Sequence, residues 1–215
     1  AYDGKRLAGL VVSLAVKRSG DVFLWSHMTG THAKYQRQGI GLELKRFQRR
    51  WALENGYRSI GWTFDPLQRG NAWFNLHLLG ETARITSTEY HVNFYGEMDD
   101  DINRGMPSDR IEVRWQIDQP AQQFSTGEPA PLLVALDAND LPVVQNAQWD
   151  SPRYAVPVPT DVNALRRINP DAVLAWRLAV REAMLAASEQ GYAAVDFVQQ
   201  DHQYVYLLSK SEALT

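Results

Sequence analysis

Apolar and polar positions recur along this chain with two different periods, and the places where the period changes mark its elements. Residues 6–16, RLAGLVVSLAV, form an almost unbroken apolar run, which predicts a strand covered on both faces. A turn at Lys17-Arg18-Ser19-Gly20-Asp21 leads to Val22-Phe23-Leu24-Trp25, the opening of a second strand that continues toward Thr31. A link this short pairs the two strands antiparallel. Across residues 39–55 the period turns helical. Ile40, Leu44, Phe47 and Trp51 make one apolar stripe, closed by Asn55-Gly56. Ile60, Trp62 and Phe64 then alternate with Ser59, Gly61 and Thr63, a strand with one face better buried, ended by Asp65-Pro66.

Further along, the spacing predicts a short helix over residues 71–79, strands over 84–95 and 110–117, and a connecting loop at 96–109. Residues 119–131 hold three prolines with Gln, Ser and Gly, the composition of a linker. Strands follow at 132–136 and 142–144. Asn169-Pro170 starts a long helix whose stripe is Val173, Trp176, Val180, Met184 and Ala187, and strands at 195–197 and 204–208 close the chain. This order predicts an α/β (α+β) class with a mixed, mostly antiparallel sheet flanked by helices. It divides the chain into a domain at 1–118, a linker at 119–131 and a C-terminal α/β extension at 132–215.

Composition narrows the chemistry. With 45% hydrophobic and 22% charged residues the chain is of globular type, and its 215 residues can bury a full core. The absence of cysteine excludes disulfides, thiolate metal sites and a cysteine nucleophile. Twenty-two basic against 25 acidic residues, a net −3, give no electrostatic case for nucleic acid or an acidic membrane. No apolar run is long enough to span a bilayer and no leader stands at the front, so the cytoplasm is the expected compartment.

The most informative stretch is Tyr35-Gln36-Arg37-Gln38-Gly39-Ile40-Gly41, where a strand ends and a helix begins. The free N–H groups and positive end of a helix attract an anion there, and glycines at 39 and 41 let a bulky one approach the backbone. Lys34 and Arg37 add charge, and Lys45, Arg46 and Arg49 extend it along the helix. Neither a P-loop nor G-x-G-x-x-G is present. The pattern met is Gln36-x-x-Gly39-x-Gly41.

Over residues 5–117 this motif and the order of elements around it resemble the GNAT superfamily of acyl-CoA-dependent N-acyltransferases. The segment around Tyr95-Gly96-Glu97-Met98 and residues 104–110 is similar to one branch of predicted acetyltransferases. The resemblance implies a GNAT-like sheet and acetyl-CoA or another acyl-CoA as co-substrate. It implies that Gln36 fills the first motif position and that the N–H groups of Arg37, Gln38, Gly39, Ile40 and Gly41 hold the pyrophosphate. The strand near Thr29 and Thr31 would bond the pantetheine arm edge-on. The acceptor would be a small-molecule primary amine.

Two departures stand out. The family has a strand and one or two helices ahead of the first strand read here, and this chain starts too late to contain them. Counting back from Leu79-Gly80, Leu76 stands where many members carry a tyrosine acid and Arg69 where they carry an asparagine. Residues 132–215 are then either a second partial GNAT-like layer or a homodimer contact.

Amine acylation needs a base, a polarised carbonyl and a proton or charge partner for the departing thiolate. His27, on the strand leading into the motif and on one face with 29 and 31 by the period of two, is the candidate base, against a structural histidine. Tyr95 is the candidate acid for the thiolate, against a packing tyrosine. Asn71, Asn75, His77, Glu89 and Glu97 are weaker candidates. Arg104 or Arg110 could bind an acidic acyl group such as succinyl, against a turn that only pins its loop. Trp25, Trp51, Trp62, Trp73 and Trp115 read as core rather than a base-stacking surface. Asp99-Asp100-Asp101 reads as a solvated run, and no zinc-type His spacing or G-x-S-x-G elbow occurs. A non-catalytic CoA-sensing or protein-interaction module is the alternative to an enzyme.

Overall fold

A computed structural model describes residues 1–96, 106–121 and 129–210; the side chains of 86–88 are outside that description. Glu97, Asp99-Asp100-Asp101, Arg104 and most of the proline-containing linker fall outside the described residues.

The class is mixed α+β with mostly antiparallel sheets. A two-stranded ribbon, β1 (Tyr2–Asp3) and β2 (Arg6–Leu7), precedes β3 (Gly9–Arg18) and β4 (Asp21–Thr31). Helix α1 (Ile40–Glu54), β5 (Ser59–Phe64), α2 (Arg69–Ala72), a π-turn (Trp73–Leu78), β6 (Arg84–His91) and β7 (Arg110–Gln116) follow. Strand order in this sheet is β3-β4-β5-β7-β6. Only the β4–β5 contact is parallel. The second half adds a hairpin, β8 (Val134–Leu136) and β9 (Pro142–Val144), then β10 (Arg153–Val158) and α3 (Val162–Ile168). Helix α4 (Pro170–Glu189), β11 (Tyr192–Gln200) and β12 (Gln203–Lys210) complete it, with sheet order β10-β12-β11. Asn169 caps α4 by accepting from the Ala172 N–H at 3.1 Å, with Pro170 at the first helical position. The stripe read for α4 is buried along its length.

Four expectations need correction. The first strand is not covered on both faces: β3 is the edge of its sheet, and Leu14, opposite Trp25, is 51% exposed. The strand expected to reach Tyr95 stops at His91, because residues 92–95 fold into turns with Asn93 in the left-handed region. The buried stripe of α1 is rotated from the one its pattern indicates. Phe47 and Trp51 are 53% and 43% exposed, whereas Leu44, Lys45, Gln48 and Ala52 face inward. Of the five tryptophans read as core, Trp62 and Trp115 are buried, Trp25 is half-buried, and Trp51 and Trp73 are exposed. Strand β10 and helix α3 have no counterpart among the elements that the sequence pattern predicts.

One buried apolar cluster runs through both halves, from Ile60, Trp62 and Trp115 to Trp176, Val180, Phe197 and Tyr206. Polar bonds cross the same boundary. Asp65, just after β5, accepts a hydrogen bond from Arg177 Nη2 at 2.9 Å and has Nη1 at 2.8 Å as an ion-pair contact, and Arg177 is fully enclosed on α4. Tyr206 donates to the Pro66 carbonyl at 2.7 Å. Asp109 is wholly buried and accepts from Arg181 Nη2 at 2.7 Å, Tyr90 at 2.7 Å and the Asn93 N–H at 3.1 Å. Burial alone would raise its carboxyl pKa; these donors hold it below the usual range. Asp109 therefore pins the turn ahead of β7.

Removing one side of a buried ion pair strands the other charge, whereas removing both does not. Asp65→Ala is expected to cost about 3–5 kcal/mol in urea unfolding, and the double variant Asp65→Ala/Arg177→Met distinctly less. Equal losses would mean that Arg177 is solvated rather than buried.

Candidate functional site

The site begins where β4 and β5 part. Their parallel register holds at two pairs only, Leu24–Ile60 and Trp25–Gly61. Beyond them each strand continues without the other. Side chains on one face of this pair, Leu24, Ser26, Ile60, Trp62 and Phe64, lie on the α1 side. Phe23, Trp25, Gly61 and Thr63 lie on the opposite face. Gly61 sits tightly under the rings, since a Cβ there would lie 3.1 Å from Phe23 and 3.3 Å from Trp25 and would make those side chains shift.

The free edge of β4 can be assigned from its ladder. Gly9 on β3 pairs with Thr31, yet both backbone groups of Gly9 bond to Ala1 on the outer side, at 2.7 and 3.3 Å. In an antiparallel ladder alternate residues turn their N–H and C=O outward. Thr29 and Thr31 therefore direct theirs to the side from which β5 has departed. His27 is the unpaired residue of a β-bulge: Met28 pairs with Val12 and Ser26 with Ser13, leaving none for 27. It is exposed, and the period-of-two count that groups it with 29 and 31 runs through this irregular point.

At the end of β4 the chain makes a 3₁₀ turn over Ala33–Tyr35 and enters α1 through Arg37 (φ 61°) and Gly39 (φ 80°). These left-handed residues set the amides of the motif side by side. Among the described residues no acceptor is bonded to the N–H of Arg37, Gln38, Gly39, Ile40, Gly41 or Leu42; the first helical bond is Glu43 N–H to Gly39 O at 3.1 Å. The amides thus form an exposed cradle at the positive end of a four-turn helix. A Cβ on Gly41 would lie 3.9 Å from the Phe74 ring and 4.0 Å from Thr31 Oγ1, ordinary contact distances, so the cradle lies beside the strand edge. Gln36 is exposed at the entrance, and Gln38 Nε2 donates to the Lys34 carbonyl at 3.0 Å.

The cations expected along α1 do not all serve this cradle. Lys34 and Arg37 are exposed beside it. Arg46 pairs with Glu43 at 2.6 Å, and Arg49 Nε donates to Ile117 O at 2.9 Å. Lys45 is 3% exposed beneath the sheet. Its Nζ lies 2.8 Å from Ser26 Oγ, 3.1 Å from Gln48 Oε1 and 4.1 Å from the Trp62 ring centroid. Gln48 in turn donates to Ser13 Oγ at 2.7 Å. Ser26 and Trp62 are the first α1-side residues past the last paired positions, so the ammonium sits in the fork of the two strands. Burial pulls its pKa down to about 7.

The other face carries a charged group that sequence spacing did not disclose. Glu112 is buried, held by the Arg18 guanidinium and bonded to His91 Nε2 at 3.1 Å; Glu89 is its cross-strand neighbour. Ligand atoms of Glu89, His91 and Glu112 lie within 4.8 Å of one another and could hold a cation, but Arg18 already balances Glu112. The register between β6 and β7 assembles them, and no motif records it.

Tyr95 is 55% exposed, with its hydroxyl 3.5 Å from Thr63 Oγ1 and Arg110 over its ring at 5.0 Å. Asn75 is buried and accepts from Trp62 Nε1 at 3.0 Å. His77 is bonded to Asp196 at 3.0 Å, and Asn71 is exposed. Among the described residues no helix is long and apolar enough to cross a membrane. The chain matches no protein-family model, and no curated protein matches it at the level that marks a relative.

Lys45 links the fork to stability. Below pH 7 both folded and unfolded chains carry its proton, and the full cost of burying the charge applies. Between about 7 and 10.5 the unfolded chain keeps a proton that the folded one has lost, so stability rises with pH. Relative to Lys45→Met, the wild type is expected to gain up to ~1.4 kcal/mol per pH unit across that window in urea unfolding. A pH-independent difference would refute a buried ammonium.

Proposed function

We propose that this chain is an N-acyltransferase of GNAT type that moves an acetyl or other acyl group from acyl-CoA to a primary amine by direct attack. The observation that carries the reading is the run of six unpaired amides, Arg37 to Leu42, opening onto the free edge of β4. A pyrophosphate suits the cradle, because it offers several acceptor oxygens and a double charge to donors that have no other partner. An extended amide-bearing arm suits the edge at Thr29 and Thr31, as an added strand would. Strand order β3-β4-β5-β7-β6 with one parallel, early-parting pair supports the same family likeness.

In this reading the thioester lies near the bulge, with His27 on the solvent side to take a proton from the attacking ammonium, directly or through water. Backbone amides of residues 28–31 are the candidates for polarising the carbonyl. Proximity does much of the work, since both reactants are held at one strand edge. An acidic acyl group such as succinyl is a variant that Arg110 could favour.

The second reading is a CoA-sensing or protein-interaction module without turnover. Leu76, apolar and buried where the family carries its tyrosine acid, is the observation that favours it. Release of free thiol from acetyl-CoA across an amine panel separates the two.

Acetyl-CoA, succinyl-CoA or CoA is expected to raise the melting temperature by mass action. Gly41→Val, which puts a branched side chain at the cradle beside Thr31 and Phe74, is expected to weaken that effect at least ~10-fold in apparent affinity while the variant stays folded. No shift with any donor would exclude the acyl-CoA reading. His27→Gln is expected to lower kcat by about 10²-fold or more with the melting shift unchanged; an unaltered kcat removes His27 as base.

A further inference from the structure

The buried ammonium at the fork is unexplained by packing alone. Lysine is rarely enclosed without a carboxylate. Among the described residues none lies within ion-pair distance of Lys45: its surroundings are Ser26 on β4, Gln48 on its own helix, Ser13 on β3 through Gln48, and the face of Trp62 on β5. All are neutral. A cation in such a place carries a large desolvation cost that neutral dipoles and a ring face offset only in part. An anion arriving at the fork would supply the missing charge.

We propose that Lys45 is the charge partner and proton donor for the thiolate that leaves during acyl transfer. The inference rests on the acyl-CoA reading and deepens it. A pantetheine arm running from the cradle along Thr31 and Thr29, and on past the bulge at His27, would reach Ser26 at the fork. There the amine nitrogen forms a bond to the thioester carbon, and the carbon–sulfur bond breaks with its electron pair on sulfur. Sulfur takes a proton from the Lys45 ammonium, while the proton lost by the amine goes to His27 or water. Lys45 recovers its proton from solvent once the thiol departs. A pKa already near neutrality allows both transfers. Tyr95, the other candidate acid, lies across the sheet at Thr63, and Leu76 offers no proton.

The test uses free CoA as a probe and follows the ultraviolet absorbance of its thiolate through a pH titration. Bound to the wild type, the thiol and Lys45 titrate as a coupled pair, and thiolate absorbance is expected to appear about one pH unit or more below that of free CoA, because the ion pair raises the lysine pKa as it lowers that of the thiol. Lys45→Met is expected to abolish the shift, and Lys45→Arg to keep part of it. With acetyl-CoA and an amine, Lys45→Met is expected to lose about 10²-fold in kcat with KM for acetyl-CoA little changed, whereas Tyr95→Phe keeps most of its rate. Arginine preserves the charge, so that variant still reports if methionine fails to fold. A melting shift with CoA but a normal thiol in the wild type rejects the role of Lys45 alone. Loss of rate in Tyr95→Phe with full rate in Lys45→Met also rejects it. Failure of the wild type to bind CoA rejects the acyl-CoA reading beneath it.

Discussion

Parallel pairing between β4 and β5 lasts for two residues on each strand, and the first half of the molecule is organised by what happens where it stops. Past that point the amides of Thr29 and Thr31 have lost the neighbour that would take them. Separation of the strands is sustained from below: the Lys45 ammonium lies against Ser26 of one strand and the Trp62 ring of the other. From above, the Phe23 and Trp25 rings close over Gly61 on β5, where a Cβ would lie within 3.1–3.3 Å of them. An open edge of this kind normally invites aggregation or is covered. Its position next to a cradle of unpaired amides makes it a docking edge for an extended ligand in the proposed reading.

The second half stiffens this arrangement rather than standing apart from it. Asp65, directly after β5, is clamped by Arg177; Pro66 is held by Tyr206; Asp109, directly ahead of β7, is clamped by Arg181 and Tyr90. His77 on the π-turn meets Asp196. These contacts gather at the carboxyl end of β5 and its neighbours, where the strands diverge. Shared apolar burial holds the halves together, and the charged contacts set how they are placed, since a misaligned buried ion pair costs more than it returns.

Helix α1 shows why an apolar stripe can point the wrong way. Its pattern favours Ile40, Leu44, Phe47 and Trp51, yet Lys45 and Gln48 go inside because Ser26, Ser13 and Trp62 await them. Phe47 is turned out toward a cavity of about 610 Å³ shared with Leu7, Leu10 and Val11. Trp51 stacks on Tyr57. A stripe scores hydrophobicity position by position. A hydrogen-bonded polar chain between a helix and two strands becomes favourable only when all its members meet, and their separation in sequence hides them.

Local chemistry determined what the sequence alone could determine here: the alternation in Ile60, Trp62 and Phe64, the Asn169-Pro170 start of α4, and the glycine turn ahead of α1, each governed by residues within a few positions of one another. The edge exposure of β3, the bulge at His27, the Glu112–His91 contact and the burial of Lys45 were decided by strands and helices drawn together from distant stretches. Register and packing are collective properties, and no single residue carries them.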